Sequence, residues 1–374
     1  MKRLKTATFV GTRPEIIRLS RTMALLDRYT EQVIIHTGQN YDYELNEVFW
    51  KELELRRPDH FLAVDTSSLG ATVGDILRKS EEVLLLEKPD AVLVLGDTNS
   101  CLAAYMAKRM HIPIFHMEAG NRCFDERVPE ETNRRIIDHI ADFNLVYTEH
   151  ARRHLLSEGL PHNRIFLSGS PMKEVLDYYK PGIERSGVLQ ELNLAEKAYF
   201  LVSIHREENV DSPATLKHLL GILDLLAAAY GFPLIVSTHP RTRKRIAAMD
   251  ASLLSDHGLI RFLKPFGFLD YVKLQQHALC VISDSGTISE ESAILSFPAV
   301  SLRQSMERPE AQDAGTIILT GFDPDAVMAS VAMVIEEFRE NRQSRKIPED
   351  YTITDTSARV VKLILGSTRL KKLS

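Results

Sequence analysis

The chain has 374 residues, 44% hydrophobic and 26% charged, a balance that excludes a disordered or collagen-like polymer. At ~150 residues per domain this length suggests about two cores. Lys plus Arg is 46 and Asp plus Glu is 51, and the resulting net charge of −5 argues against nucleic acid or a membrane surface as partner. The cysteines are Cys101, Cys123 and Cys280, too scattered for a disulfide framework or a thiolate zinc site, and they suit a reducing cytoplasm. Lys2, Arg3 and Lys5 resemble the start of a signal peptide, but the apolar stretch after them is short and meets Arg13, so it reads as a strand. No run approaches the ~18 apolar residues that span a bilayer.

In chain order, short β-branched runs alternate with helical patterns. Strands are predicted over 4–10, 32–36, 91–95, 112–116, 143–147 and 164–167, with helices from Pro14, over 43–55 and 72–86, after Asn99 and near Glu130. The pattern restarts with strands over 199–204, 233–237, 259–262, 280–283 and 298–302. Helices fit 213–230, 241–249, 269–277, 287–295 and 325–339, and a last helix runs from Thr356 to a stop at Gly366. Such alternation predicts an α/β fold: two Rossmann-like domains whose parallel sheets face each other across a cleft. The polar stretch 177–197, with Pro181 and Gly182, marks the boundary, giving domains at 1–180 and 190–354.

Ligands of parallel sheets bind beyond the carboxyl ends of the strands, so polar residues there are the candidates. Gly11-Thr12-Arg13-Pro14-Glu15 follows the first strand and lacks the GxGxxG fingerprint of a dinucleotide site. Asp97, after the apolar strand 91–95, reads as a helix cap or a catalytic acid/base. Glu118, after 112–116, is expected to be partly desolvated and suited to proton transfer; the alternative is an ion pair with Arg122. Glu130 opens a helix, where acids are ordinary, yet with Asp97 and Glu118 it makes three carboxylates in one half of the chain. In the second half His205 and His239 each follow a strand. Ser285, Gly286 and Thr287 between a strand and a helix present N–H groups to an anion, and Glu291 one turn on suits sugar or ribose hydroxyls. No Walker loop is present, and Asp323-Pro324-Asp325 reads as a helix cap rather than a metal site. No metal is expected.

Taken together these segments resemble the non-hydrolysing UDP-N-acetylglucosamine 2-epimerase family: GTRPE at 11–15, GDTNS at 96–100, HMEAGNR at 116–122, PEETNR at 129–134, HREEN at 205–209, SDSGTISEE at 283–291 and ERPE at 307–310. The resemblance implies two Rossmann-like domains in the glycosyltransferase-B arrangement, a C-terminal helix over 355–374 crossing back to the first domain, and a homodimer. It is greatest for the branch that makes UDP-N-acetyl-L-fucosamine from UDP-2-acetamido-2,6-dideoxy-L-talose, carried by residues 36–46, 116–135 and 264–271. Where UDP-N-acetylglucosamine enzymes typically have Gln-His-Arg-Glu, this chain has Gln39-Asn40-Tyr41-Asp42. The alternatives are UDP-N-acetylglucosamine as substrate, or a glycosyltransferase on the same scaffold.

By resemblance Asp97, Glu118 and Glu130 are acid/base carboxylates and His205 stabilises departing UDP. Arg13, Arg18, His239, Phe268, Ser285, Gly286, Thr287, Glu291 and Arg308 contact the UDP-activated 2-acetamido sugar. Neither redox cofactor nor metal is implied.

Overall fold

The structure, a computed structural model, describes residues 3–38, 43–126, 128–204, 212–238, 242, 245–246, 258–341 and 347–371. It divides into two compact units, Met1–Tyr179 with Glu349–Ser374, and Lys180–Pro348. The expected α/β class is what forms.

The first unit is built on a seven-stranded sheet among the described residues: β1 (Lys5–Val10), β2 (Glu31–His36), β3 (His60–Phe61), β4 (Ala91–Leu95), β5 (Ile114–Ala119), β6 (Phe143–Val146) and β7 (Ile165–Leu167). Their order is β3-β2-β1-β4-β5-β6-β7, every pairing parallel. Helices α1 (Arg13–Tyr29), α2 (Tyr43–Glu52), α3 (Leu69–Glu87), α4 (Ala103–Arg109), α5 (Pro129–Ile140), α6 (Glu149–Ser157) and α7 (Met172–Arg185) connect them. The β4 run AVLVL is buried at every position, as a strand covered on both faces must be. One core joins Phe9, Val33, Val92 and Val94 of the sheet to Ile76, Val83 and Ala104 of the helices.

The second unit repeats the plan with six strands among the described residues: β8 (Phe200–Ser203), β9 (Leu234–Ser237), β10 (Ile260–Leu263), β11 (Cys280–Ser283), β12 (Ala299–Ser301) and β13 (Ile318–Leu319), in the order β10-β9-β8-β11-β12-β13. Its helices are α8 (Val188–Glu191), α9 (Pro213–Tyr230), α10 (Phe268–His277), α11 (Ile288–Leu295), α12 (Glu310–Asp313) and α13 (Pro324–Arg339). Leu216, Leu219, Leu220, Leu223 and Leu226 of α9 are all buried, as their spacing predicts, and Gly231 ends that helix at φ +64°. Asp323 caps α13, its carboxylate accepting the Ala326 N–H at 2.8 Å.

In both sheets the order reverses at the first strand, between β1 and β4 and between β8 and β11. The connections on either side leave in opposite directions there, which opens a crevice at the carboxyl edge.

The final helix, α14 (Thr356–Lys371), belongs to the first unit and packs on α1. It does not stop at Gly366. The buried stripe Val360, Val361 and Ile364 continues past it to the buried Thr368, and packing overrides the weak helix propensity of one glycine. The polar stretch 177–197 is largely helical: α7 continues through Pro181, and the two units divide within that helix. Most of the helix expected at 241–249 lies outside the described residues. No described helix is long and apolar enough to cross a membrane, and no described group of His, Cys, Asp and Glu is arranged to hold a metal ion.

Candidate active site

At the first sheet's reversal, Gly11-Thr12 follow β1 and α1 begins at Arg13. Glu15 reaches back to the start of its own helix, one oxygen accepting the Gly11 N–H at 2.8 Å and the Thr12 N–H at 2.7 Å. The other oxygen accepts the hydroxyls of Thr98, at 2.9 Å, and Ser100, both in the loop after β4. Burial pushes the Glu15 carboxyl up from its usual range, although these donors oppose the shift. Arg13 is half-buried, its guanidinium 5.7 Å from the centre of the Phe49 ring.

Glu118 lies inside β5, which runs three residues beyond the predicted end. Its φ is +64°, and the β5–β6 register shifts between Met117 and Ala119. A non-glycine residue in that region costs ~1–3 kcal/mol, and such strain clusters where function requires it. The carboxylate is buried and forms an ion pair with Arg18 of α1, while Asn121 donates to it at 3.4 Å. The expected alternative, a pair with Arg122, does not form: Arg122 is turned to Asp138, at 2.7 Å, and Glu158, at 2.7 Å.

Asp97 is one residue beyond Gly96, and a Cβ placed on Gly96 would lie 3.7 Å from the Glu118 carboxylate. The Glu118 carboxylate therefore lies beside the backbone of Gly96, the residue before Asp97. Asp97 is not a helix cap. Thr98 occupies that position, and Asp97 pairs at 2.6 Å with Arg134 of α5. Asn133 adds a hydrogen bond to the Asp97 carbonyl at 2.9 Å. Glu130, half-buried in the first turn of α5, precedes Arg134 by four residues and shares its helix face.

Beneath this edge lies a buried polar network. His116 Nε2 donates to the Gly96 carbonyl at 2.8 Å. Its Nδ1 is 3.0 Å from Asp138, off the line of a hydrogen bond. Asp138 accepts the Gly120 N–H at 3.2 Å. A Cβ on Gly120 would sit 2.4 Å from the Ala151 carbonyl, and φ there is +79°, so only glycine fits. The Arg122 guanidinium holds Glu158 well below the usual carboxylate range, at about 2.

In the second unit the loop after β11 leads into α11. Asp284 is fully buried, its N–H bonded to the Ser203 carbonyl at 3.1 Å. The three N–H groups expected to face an anion are not all available. Ser285 N–H donates to Ser283 Oγ at 3.0 Å and Thr287 N–H to Ser285 Oγ at 3.3 Å, because serine side chains fold back onto a turn of this kind. Among the described residues, Gly286 N–H has no protein acceptor. A Cβ on Gly286 would lie 3.1 Å from an Arg303 guanidinium that is locked by two 2.6 Å bonds to Glu307. Glu291 accepts from Gln275 at 2.6 Å, Arg308 pairs with the fully buried Glu290 at 3.2 Å, and Phe268 is buried at the start of α10. His205 and His239 lie outside the described residues.

Sequence reasoning did not single out Glu15, Asn133, Arg134 or Gln275. The capping pattern Thr12-x-x-Glu15 was the available signal for the first.

Residues 24–365 match the family model described as UDP-N-acetylglucosamine 2-epimerase. The chain belongs to that family. It is therefore an enzyme, an isomerase acting on a UDP-sugar at C2. The structure of a UDP-N-acetylglucosamine 2-epimerase from Rickettsia bellii is similar at 48% identity and TM-score 0.91, covering 98% of each chain. The Methanocaldococcus jannaschii UDP-GlcNAc 2-epimerase in complex with UDP-GlcNAc and UDP is similar at 34% identity and TM-score 0.90, covering 97% of this chain and 99% of that one. A Pseudomonas aeruginosa relative, UDP-2,3-diacetamido-2,3-dideoxy-D-glucuronate 2-epimerase, is 32% identical over 333 residues, 87% of this chain and 91% of its own. These likenesses agree with the family expectation and leave the sugar itself open.

Proposed function

We propose that the enzyme inverts C2 of a UDP-2-acetamido sugar by eliminating UDP and adding it back. In this reading UDP-2-acetamido-2,6-dideoxy-L-talose becomes UDP-N-acetyl-L-fucosamine for a surface polysaccharide. The observation that carries the chemistry is that the adjacent strands β4 and β5 carry Asp97 and Glu118 at one carboxyl edge, Glu118 beside the backbone of Gly96 and each carboxylate paired with an arginine.

A C2 proton beside an N-acetyl group is not acidic enough for simple removal. Loss of UDP from C1 solves this: the C2–H electron pair becomes the C1–C2 double bond of a 2-acetamidoglycal, and the C1–O pair leaves with UDP. Return of UDP to C1, with a proton delivered to the other face of C2, completes the inversion. Removal and return on opposite faces call for more than one acid/base group, a requirement that Asp97, Glu118 and Glu130 fit. Arg18 and Arg134 orient their carboxylate partners. His205, outside the described residues, stabilises the leaving diphosphate. Arg13, His239, Phe268, Ser285, Gly286, Thr287, Glu291 and Arg308 serve the nucleotide, the Gly286 N–H and the α11 dipole favouring its negative charge. Elimination and addition are redox-neutral, so the steps call on no electron carrier.

Segments 36–46, 116–135 and 264–271 support the L-sugar. A second reading, UDP-N-acetylglucosamine to its C2 epimer, is supported by the description of the Rickettsia bellii protein. Incubation with each UDP-sugar, with products identified by NMR, separates them: the L-talose nucleotide is expected to give the L-fuco epimer, and turnover of UDP-N-acetylglucosamine alone would replace the first reading with the second. Sugar transfer with C2 untouched would point to a glycosyltransferase. A cytoplasmic homodimer is part of the proposal, supported by the resemblance and the sparse cysteines.

A further inference from the structure

We propose that Glu15 is the positioning residue that fixes the spacing of the first unit's acid/base edge. The β1–β4 register ends at Thr8↔Leu93, although β1 continues to Val10 and β4 to Leu95. On the outer sides the ladders run on, to Val10↔His36 and Leu95↔Met117. The two central strands therefore part before their loops begin, at the place where Asp97 must be set. The fully buried Glu15 carboxylate spans that gap. One oxygen takes Gly11 N–H at 2.8 Å, Thr12 N–H at 2.7 Å and Thr12 Oγ1 at 3.0 Å, on the β1 side. The other takes Thr98 Oγ1 at 2.9 Å and Ser100 Oγ, on the β4 side. Thr98 directly follows Asp97. With both oxygens occupied by protein donors, Glu15 acts through its neighbours rather than on the sugar. This role rests on the proposed epimerase reading.

The length of the side chain is the decisive property. Aspartate is one methylene short of bridging both loops. Glutamine keeps the reach: its oxygen can accept the two amides, and its NH2 can donate to the Thr98 and Ser100 hydroxyls, which turn to accept. Misplacement by about 1 Å costs about 10²-fold in turnover. Glu15→Asp is therefore expected to lose about 10²-fold in kcat with KM and UDP affinity within about threefold, and Glu15→Gln to recover to within about tenfold of wild type. If Glu15→Asp does not fold, Thr98→Val with Ser100→Ala tests the β4 side alone, with about a tenfold loss of kcat at unchanged UDP affinity.

The measurements are kcat, KM, calorimetric UDP affinity and melting temperature for each folded variant. Wild-type turnover in Glu15→Asp, or in the Thr98/Ser100 pair, would overturn the role. So would a Glu15→Gln variant as inactive as Glu15→Asp, which would mark the charge as the essential property. A wild-type enzyme that moves no hydrogen at C2 would overturn the epimerase reading, and this role with it.

Discussion

Glu118 joins a left-handed backbone and a buried carboxylate in one residue, and both are costly even though the Arg18 partner offsets part of the burial. Replacing it with glutamine keeps the volume and removes the proton acceptor. Glu118→Gln should lower kcat by about 10²–10⁴-fold with UDP affinity unchanged, by NMR turnover and calorimetry; an equal loss of affinity would assign Glu118 to binding. Glu158 yields a stability prediction. Its pKa is held down to about 2 by the Arg122 guanidinium, below the ~4.3 of an unfolded chain, so its contribution is present above that value and fades as pH falls towards 2. Urea unfolding should find Glu158→Gln about 1–2 kcal/mol less stable at pH 7, discounted for partial exposure, with the gap closing in acid. A gap independent of pH would remove the ion pair as its cause. These partners were hidden in the sequence because they join distant positions: Arg122 faces Asp138 and Glu158, and Asp97 faces Arg134, through the packing of α5 and α6 on the sheet.

Helices and strands were legible where periodicity carried them, as in the buried leucines of α9 and the apolar β4. The two-residue strands β3 and β13 were not, being too short to show a period. The end of α14 was misjudged because glycine is weak evidence against a helix that tertiary packing continues. Gly366 is exposed, with nothing within 4 Å of an added Cβ and no positive φ. Gly366→Ala should therefore stabilise the protein by about 0.5–1 kcal/mol in urea unfolding, and destabilisation would contradict the continuous helix. At α11 the opposite holds. A methyl group on Gly286 meets Arg303, which Glu307 prevents from yielding, so Gly286→Ala should weaken UDP binding by about tenfold. Unchanged calorimetric affinity would remove that loop from the nucleotide site.

At the scale of the whole molecule, two sheets each reverse at their first strand, and the motifs that stood out in the sequence follow the strands at those reversals: 11–15 and 96–100 in the first unit, 205–209 and 283–291 in the second. That much followed from strand–helix alternation and from where parallel sheets bind ligands. What did not follow was the clamping of the loops by Glu15 and the buried network under Gly96 and Gly120, since side-chain hydrogen bonds between residues 18 to 83 apart leave no periodic trace. The return of α14 to the first unit is fixed by hydrogen bonds at its start. Thr356 donates to the Ser168 carbonyl at 3.2 Å, and Ser357 N–H to Glu174 at 2.8 Å. The central claim is that hydrogen at C2 is lost and regained while UDP leaves and returns. It is tested most directly by incubating the enzyme with its UDP-sugar in heavy water and reading C2 by NMR. Deuterium should enter C2 of the product and, as the reaction reverses, of the substrate; an epimer formed with its original hydrogen still at C2 would contradict the account.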